Sequence, residues 1–143
     1  MPENRKSFFD TNILVYGYAQ DEGGKQKIAS ELIQKNWEEH LACTSFQVLQ
    51  EFLVTVTSKI KTPISFKEAT TICENLFTWE PVITNDHVLR KAFQLKERFK
   101  VHFWDAAILA QALVLDCDIL YSEDFQDGFK VDDLSVMNPF RAR

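Results

Sequence analysis

The side chains best suited to chemistry in this sequence are carboxylates that stand beside apolar segments. Asp10 follows the apolar run 7–9, and Asp124 follows a second such run, 118–122. Asp105 lies in the first turn of an otherwise apolar helical segment. Because burying a charged carboxylate without a partner is costly, each of these acids needs either solvent or a cation.

Each candidate acid also has a plainer interpretation. Asp10 or Asn12 can simply cap the helix that follows. Glu51 has polar neighbours on its helical wheel, so its position is compatible with a solvated surface. Asp127 precedes a glycine and is compatible with an ordinary turn. For Asp105 the helix dipole supplies only ~0.3–1 kcal/mol, which is too little to hold a buried charge.

Length and composition predict one globular domain spanning residues 1–143. The chain contains 45% hydrophobic residues with only four glycines and four prolines, which excludes a disordered or low-complexity chain. No apolar run reaches the ~18 residues of a membrane span, and the N-terminal segment 1–6 lacks the apolar stretch of a signal peptide. We therefore expect a cytoplasmic protein with no membrane partner.

Charge and cysteine usage narrow the function classes. The net charge of −5 counts against a DNA-coating protein, because such proteins are usually basic. It allows an enzyme that concentrates acids in a metal-binding cleft. Cys43, Cys73 and Cys117 are widely spaced and lack a C-x-x-C pattern, which predicts reduced thiols rather than disulfides or a zinc site. The three histidines are equally scattered, so we expect no histidine-built metal site.

Hydrophobic periodicity predicts strands that alternate with helices. The predicted strands are 7–9, 41–43, 82–83, 118–122 and 134–137. The predicted helices are 13–19, 25–39, 44–58, 66–77, 88–99 and 103–115. Capping boxes are predicted at Thr44 with Gln47 and at Ser65 with Glu68. This alternation favours an α/β fold with a parallel sheet and helices on both faces.

The predicted sheet brings the acids together. The carboxyl ends of parallel strands open on one side, so Asp10 and Asp124 fall on the same rim. The helix that starts near Asp105 precedes the Asp124 strand, so its N-terminus also lies at that rim. Like charges at close range are unfavourable, and a hard divalent cation relieves them. Oxygen-only ligands favour Mg²⁺ or Mn²⁺ over zinc.

The same acidic segments resemble, in order and spacing, the four acidic motifs of PIN domains, and above all the VapC-type toxins of bacterial toxin–antitoxin pairs. The resemblance spans nearly the whole chain. It implies a three-layer α/β/α sandwich with a five-stranded parallel sheet, Mg²⁺- or Mn²⁺-dependent endoribonuclease activity, a small cognate antitoxin and a homodimer. The segments that carry it are Phe9-Asp10-Thr11-Asn12, Val48-Leu49-Gln50-Glu51-Phe52, Phe103-Trp104-Asp105-Ala106-Ala107-Ile108 and Ser122-Glu123-Asp124-Phe125.

Roles follow from the resemblance, position by position. The implied catalytic acids are Asp10, Glu51, Asp105 and Asp124. The implied metal ligands are Asp10, Asp105 and Asp124, with Asp127 as an additional ligand, directly or through water. The supporting residues are Thr11, Asn12 and Ser122. Attraction of RNA would fall to the basic face of the 88–99 helix, which carries Arg90, Lys91, Lys96 and Arg98.

Two other functions remain open at this point. One is a non-catalytic PIN-fold module that binds RNA or protein. The other is a phosphatase of the haloacid-dehalogenase type with Asp10 as its nucleophile. Such phosphatases typically have a second aspartate two residues on, where this chain has Asn12.

Overall fold

The computed structural model describes residues 5–141. The first four residues, which include most of the segment considered as a signal peptide, lie outside this range. The strands are β1 Ser7–Phe9, β2 Ala42–Cys43, β3 Ile119–Tyr121, β4 Lys130–Val131 and β5 Leu134–Met137. The α-helices are α1 Thr11–Tyr18, α2 Lys25–Glu38, α3 Phe46–Ser58, α4 Phe66–Leu76, α5 Asp86–Phe99 and α6 Phe103–Val114, and a 3₁₀ turn covers Phe77–Trp79. Every predicted helix is present, with ends within two residues of the prediction.

The described strands form one sheet in the order β2-β1-β3-β5-β4. β1 pairs in parallel with β2 on one side and with β3 on the other, and β3 pairs in parallel with β5. The chain thus changes direction across the sheet between β1 and β3, and ligands of open α/β sheets bind at such a point, beyond the carboxyl ends of the strands. The predicted α/β class with a five-stranded sheet is confirmed.

The prediction of an entirely parallel sheet is wrong at one edge. β4 pairs antiparallel with β5 through Val131 and Leu134, and the intervening Asp132 adopts a left-handed φ of 55°, which aspartate tolerates. This two-residue hairpin was not predicted, because β4 has only two residues and is too short for an alternating pattern to appear.

The predicted strand at 82–83 does not join the sheet. Val82 makes an isolated parallel bridge with Ser45: its carbonyl accepts a hydrogen bond from the Phe46 amide, and its amide donates one to the Thr44 carbonyl. Pro81 cannot donate a backbone hydrogen bond, and Ile83 is 66% exposed, so the segment has neither the donors nor the burial of an inner strand.

The core forms around the two central strands and the last helix. Phe8, Phe9 and Leu120 are fully buried, and so are nearly all residues from 106 to 112 of α6. The apolar pattern of this helix predicts burial on every side, which holds for residues 106–112, whereas Trp104 in its first turn is 66% exposed. Within the described part of the chain, no helix combines the length and apolar character needed to cross a membrane.

The start of α3 differs from the predicted capping box. Ser45, not Thr44, is the N-cap, and its hydroxyl accepts a hydrogen bond from the Val48 amide at 3.1 Å. The Thr44 hydroxyl instead donates to the carbonyl of Phe9 at 3.2 Å, which ties α3 to β1. The other predicted capping box, between Ser65 and Glu68, is present.

Replacing Ser45 by alanine is expected to lower the free energy of unfolding by roughly 1–2 kcal/mol, because it leaves the buried Val48 amide without a partner. Urea denaturation measures the loss. Ser58→Ala is the matched control: its hydroxyl bonds the Val54 carbonyl on the exposed end of the same helix, and its loss should be within about 0.5 kcal/mol of zero. Equal losses for the two serines would contradict the assigned cap.

Candidate active site

Asp10 lies where the two central strands end. Its side chain is only 6% exposed. One carboxylate oxygen accepts a hydrogen bond from the Thr11 amide at 2.8 Å, and the other accepts one from the Ser122 hydroxyl at 2.7 Å. Asp10 is therefore the N-cap of α1, as its plainer interpretation has it. It is also hydrogen-bonded to the segment that follows β3, which a helix cap does not require.

Asn12 joins the same two segments from the other side. Its amide nitrogen donates to an Asp124 carboxylate oxygen at 2.9 Å, and its amide oxygen accepts from the Glu123 backbone at 3.3 Å. The Ser122 hydroxyl also accepts a hydrogen bond from the Asp124 amide at 3.1 Å. Asn12 and Ser122 thus hold Asp10 and Asp124 in a common network, where sequence reasoning had given them supporting roles.

Electrostatic effects tie all four predicted catalytic acids into one cluster. Burial raises the pKa of Asp10 to about 6, against the opposing hydrogen bonds from Ser122 and Thr11, and the charges of Asp124 and Glu51 raise it further. Burial also raises the pKa of Asp105; the positive charge of His102 opposes this rise and the charge of Asp124 adds to it. Because the charge of Asp124 acts on both Asp10 and Asp105, and that of Glu51 acts on Asp10, the four carboxylates share one region. We call this region the acidic cluster: Asp10, Glu51, Asp105 and Asp124.

No ion pair among the described residues neutralises the acidic cluster. The ion pairs in this part of the chain are Lys25 with Glu123, Arg90 with Asp86 and Arg98 with Asp132. Glu123 stands directly before Asp124, yet Lys25 contacts it at 2.8 Å and the Tyr16 hydroxyl donates to it at 2.8 Å. The protein therefore pairs the neighbouring acid with its own lysine, whereas no lysine or arginine of the described residues forms an ion pair with the cluster.

Asp127 has a structural contact. Its carboxylate accepts a hydrogen bond from the Asn138 amide at 2.7 Å, which fastens the turn before β4 to the chain beyond β5. This contact accounts for an aspartate at this position without a metal, in line with the ordinary-turn interpretation. Its role as a metal ligand stays a prediction.

The donor set of the acidic cluster fits a hard divalent cation by its chemistry. All of its side-chain donors are oxygens, which suits Mg²⁺ or Mn²⁺. Beside Asp10, the buried Thr11 hydroxyl has no hydrogen-bond partner within residues 5–141. In the same range no three His, Cys, Asp or Glu side chains stand in a ready metal-binding arrangement. Joint coordination therefore requires rotation of side chains, which the exposed Glu51 and Asp124 have room to make.

The basic residues of α5 do not form one patch. Arg90 pairs with Asp86 at 3.0 Å, and Arg98 pairs with Asp132 at 3.1 Å. At about 100° per residue, Lys91 and Arg98 share one side of the helix, while Lys96 points to the other side. Two of the four candidate RNA-binding charges are thus engaged by acids, and the four are spread around the helix.

A chain of amides behind Glu51 was not predicted from the sequence. Gln111 donates to the Gln47 amide oxygen at 2.7 Å, and Gln47 donates to a Glu51 carboxylate oxygen at 3.2 Å. Gln111 is fully buried in α6. The sequence does single out Gln111, because Gln111 and Asp105 are the polar residues that interrupt this apolar helix. The contact itself could not be predicted from local spacing, because its partner Gln47 lies on α3.

Comparisons with known proteins agree with this geometry. The family model described as "PIN domain" matches residues 7–130. A search of curated proteins found no match. Among solved structures, the chain is similar to one from a toxin–antitoxin complex of Klebsiella pneumoniae, with a TM-score of 0.70 and 17% identity, over 96% of this chain and 100% of the other. The predicted PIN-like α/β/α fold class is confirmed. Since the family model covers most of its length, the chain belongs to the PIN domain family.

Proposed function

We propose that this protein is a Mg²⁺- or Mn²⁺-dependent endoribonuclease, the toxin of a type II toxin–antitoxin pair. The observation that carries the proposal is the acidic cluster, which has no neutralising cation among the described residues and lies at the strand ends where PIN-like α/β folds bind ligands. PIN domains are generally nucleases and typically depend on divalent metals. Both properties suit a site built from carboxylates alone.

Asp10, Asp105 and Asp124 are the proposed ligands of the cation, with Asp127 as the additional one. A bound divalent cation supplies an activated water and offsets the negative charge that develops on the scissile phosphate. No serine, histidine or cysteine nucleophile is needed for such hydrolysis. The absence of a nucleophile–base pair from the described site therefore agrees with the proposal.

The remaining side chains orient the acids. The Ser122 hydroxyl and the Thr11 amide hold both oxygens of Asp10, and Asn12 holds one oxygen of Asp124. Gln47 donates a hydrogen bond to one carboxylate oxygen of the exposed Glu51 at 3.2 Å. We assign to Glu51 or Asp105 the positioning of the attacking water, because neither accepts a hydrogen bond from the residues that link Asp10 to Asp124.

The partner assignments extend the proposal. The solved structure that this chain resembles comes from a toxin–antitoxin complex, which supports a small antitoxin as the partner here. Because the two chains are only 17% identical, this likeness is evidence for the fold and not for the partner. The antitoxin, the homodimer, the RNA substrate and the cytoplasmic location stay predictions.

The geometry disfavours the phosphatase alternative. Asn12, at the place of the second aspartate of such enzymes, is hydrogen-bonded to Asp124. Measurements of RNA cleavage and of metal-dependent melting distinguish a nuclease from a non-catalytic binding module.

Asp10→Asn is expected to abolish Mg²⁺-dependent cleavage of RNA, with a loss of at least ~100-fold, because it removes the central charge of the acidic cluster while keeping the shape. Cleavage of total RNA with mapping of the cut ends measures the effect. Asp116→Asn is the control: this exposed aspartate follows α6 and has a left-handed φ of 58° that asparagine also adopts. Near-normal cleavage by Asp10→Asn would sink the ribonuclease proposal.

Binding of Mg²⁺ or Mn²⁺ is expected to raise the melting temperature of the wild-type protein in a saturable way, because a cation that binds only the folded state stabilises it by mass action. In Asp10→Asn and in Asp124→Asn the rise should disappear, whereas Asp116→Asn should retain it. Thermal melts against metal concentration measure this. A non-catalytic module would show no shift that depends on these acids.

Without divalent cations, Asp10→Asn should make the protein more stable at pH 7 by roughly 3 kcal/mol, which is the free-energy equivalent of the raised pKa. The folded-state pKa of about 6 exceeds the ordinary value of 3.8. The stability that protonated Asp10 contributes is therefore complete below about pH 4 and is lost as the pH rises through 6. Urea titrations from pH 3.5 to 7 measure the difference. A gap between variant and wild type that is constant across this range contradicts the assignment.

A further inference from the structure

We infer that the cleft between α3 and α6 is a binding site for an unpaired nucleobase of RNA, with Trp104 as its stacking surface. The inference rests on the proposed function, which it deepens by naming the residue on which an unpaired base of the substrate stacks. Two adjoining cavities form the cleft. One, of about 320 Å³, is lined by Gln47, Gln50, Glu51 and Trp104. The other, of about 340 Å³, shares three of these residues and extends inward to Gln111.

The cleft is continuous with the acidic cluster. Glu51 belongs to both, and Trp104 directly precedes Asp105 in the first turn of α6. Because Trp104 and Asp105 are consecutive residues, a base stacked on Trp104 lies close to an acid of the proposed catalytic site. The volumes are in the range of small-molecule sites.

Trp104 is unusual among the tryptophans of the chain. Trp37 and Trp79 pack edge to face against each other with ring centroids 5.2 Å apart, and both are partly buried. Trp104 is 66% exposed and contacts Phe103, whose ring supports it at 5.2 Å and 71°. Trp104 thus leaves a large aromatic ring in water beside a cavity whose lining combines glutamine amides with apolar side chains of α5 and α6. Unpaired bases stack on exposed aromatic rings of this kind.

A residue with an unpaired acceptor lines the inner end of the cleft. Gln111 is fully buried and lines the deeper cavity. Its nitrogen donates to Gln47, but its oxygen has no hydrogen-bond partner among the described residues. Leaving such an acceptor buried and unpaired is costly. The amino and imino groups on the edge of a nucleobase are hydrogen-bond donors of the kind that the Gln111 oxygen lacks. An apolar peptide side chain carries no such donor.

The charges of the protein point in the same direction. Binding that depends on phosphate contacts requires clustered lysines and arginines, but this chain carries a net charge of −5 and the cations of α5 are split and partly paired. Stacking on an aromatic ring needs no positive charge. It does need a base that is free of a duplex, because paired bases are stacked on their neighbours.

Steady-state cleavage of a short single-stranded RNA tests the assignment. Trp104→Ala is expected to raise KM roughly 5- to 100-fold, the range that loss of one stacked base produces, with kcat changed by less than about twofold. Trp104→Phe should restore most of the affinity. Phe66→Ala is the matched control, because Phe66 is equally exposed at 65% but begins α4 and lines neither cavity.

Tryptophan fluorescence separates this inference from the proposed function. In the Asp10→Asn protein, single-stranded RNA should quench the emission of Trp104, and the quenching should vanish when Trp104→Phe is added, although Trp37 and Trp79 remain. Quenching without any cleavage by the wild type would overturn the ribonuclease proposal and leave the base site standing.

Two outcomes would overturn the base site itself. One is an unchanged KM in Trp104→Ala; if this variant also loses self-association in sedimentation velocity, the cleft belongs to a second copy of the chain. The other is equal binding of the same RNA in duplex form.

Discussion

The hydrogen bond from Ser122 to Asp10 is the contact on which the site depends. It joins the carboxyl ends of β1 and β3 at 2.7 Å, where the chain changes direction across the sheet. The strands bring the two segments side by side, and the buried hydroxyl fixes the direction of the carboxylate. Asn12 then extends the same link to Asp124. The network is short because both strands end at the same level, which the parallel register of Phe9 with Tyr121 ensures.

The acidic cluster is an arrangement that folding alone does not favour. Burial and the charges of Asp124 and Glu51 raise the pKa of Asp10, so the ionised form destabilises the folded state. Glu123, which directly precedes Asp124, forms an ion pair with Lys25 and accepts a hydrogen bond from Tyr16. A lysine that neutralises an acid is therefore compatible with this loop. Glu123 is paired with a lysine, but no lysine or arginine of the described residues pairs with the acidic cluster. A positively charged ligand therefore explains the cluster better than a purely structural role does.

Features that depend on the local sequence pattern could be predicted from the sequence. The all-apolar α6, the helix bounds and the acids at the strand ends follow from periodicity and from single residues such as Asp105 in the apolar helix. Features set by tertiary contacts were missed or misplaced. Val82 pairs with Ser45 instead of joining the sheet, and the two-residue strand at Lys130 exists because β5 lies beside it. The cap at Ser45 displaced the one predicted at Thr44 because the Thr44 hydroxyl reaches Phe9 on another element.

The proposed base site and the acidic cluster are supported by the same two helices. α3 carries Gln47 and Glu51 one turn apart, and α6 carries Trp104 and Asp105 in its first turn. The bond from Gln111 to Gln47 fastens these helices behind both sites, so the distance between a stacked base and the carboxylates is set by a buried contact rather than by a loop. A protein of negative net charge repels the phosphates of the proposed substrate. Holding the substrate by a neutral base next to the acids places the phosphate without clustered positive charge, which reconciles the net charge of −5 with a nucleic-acid substrate.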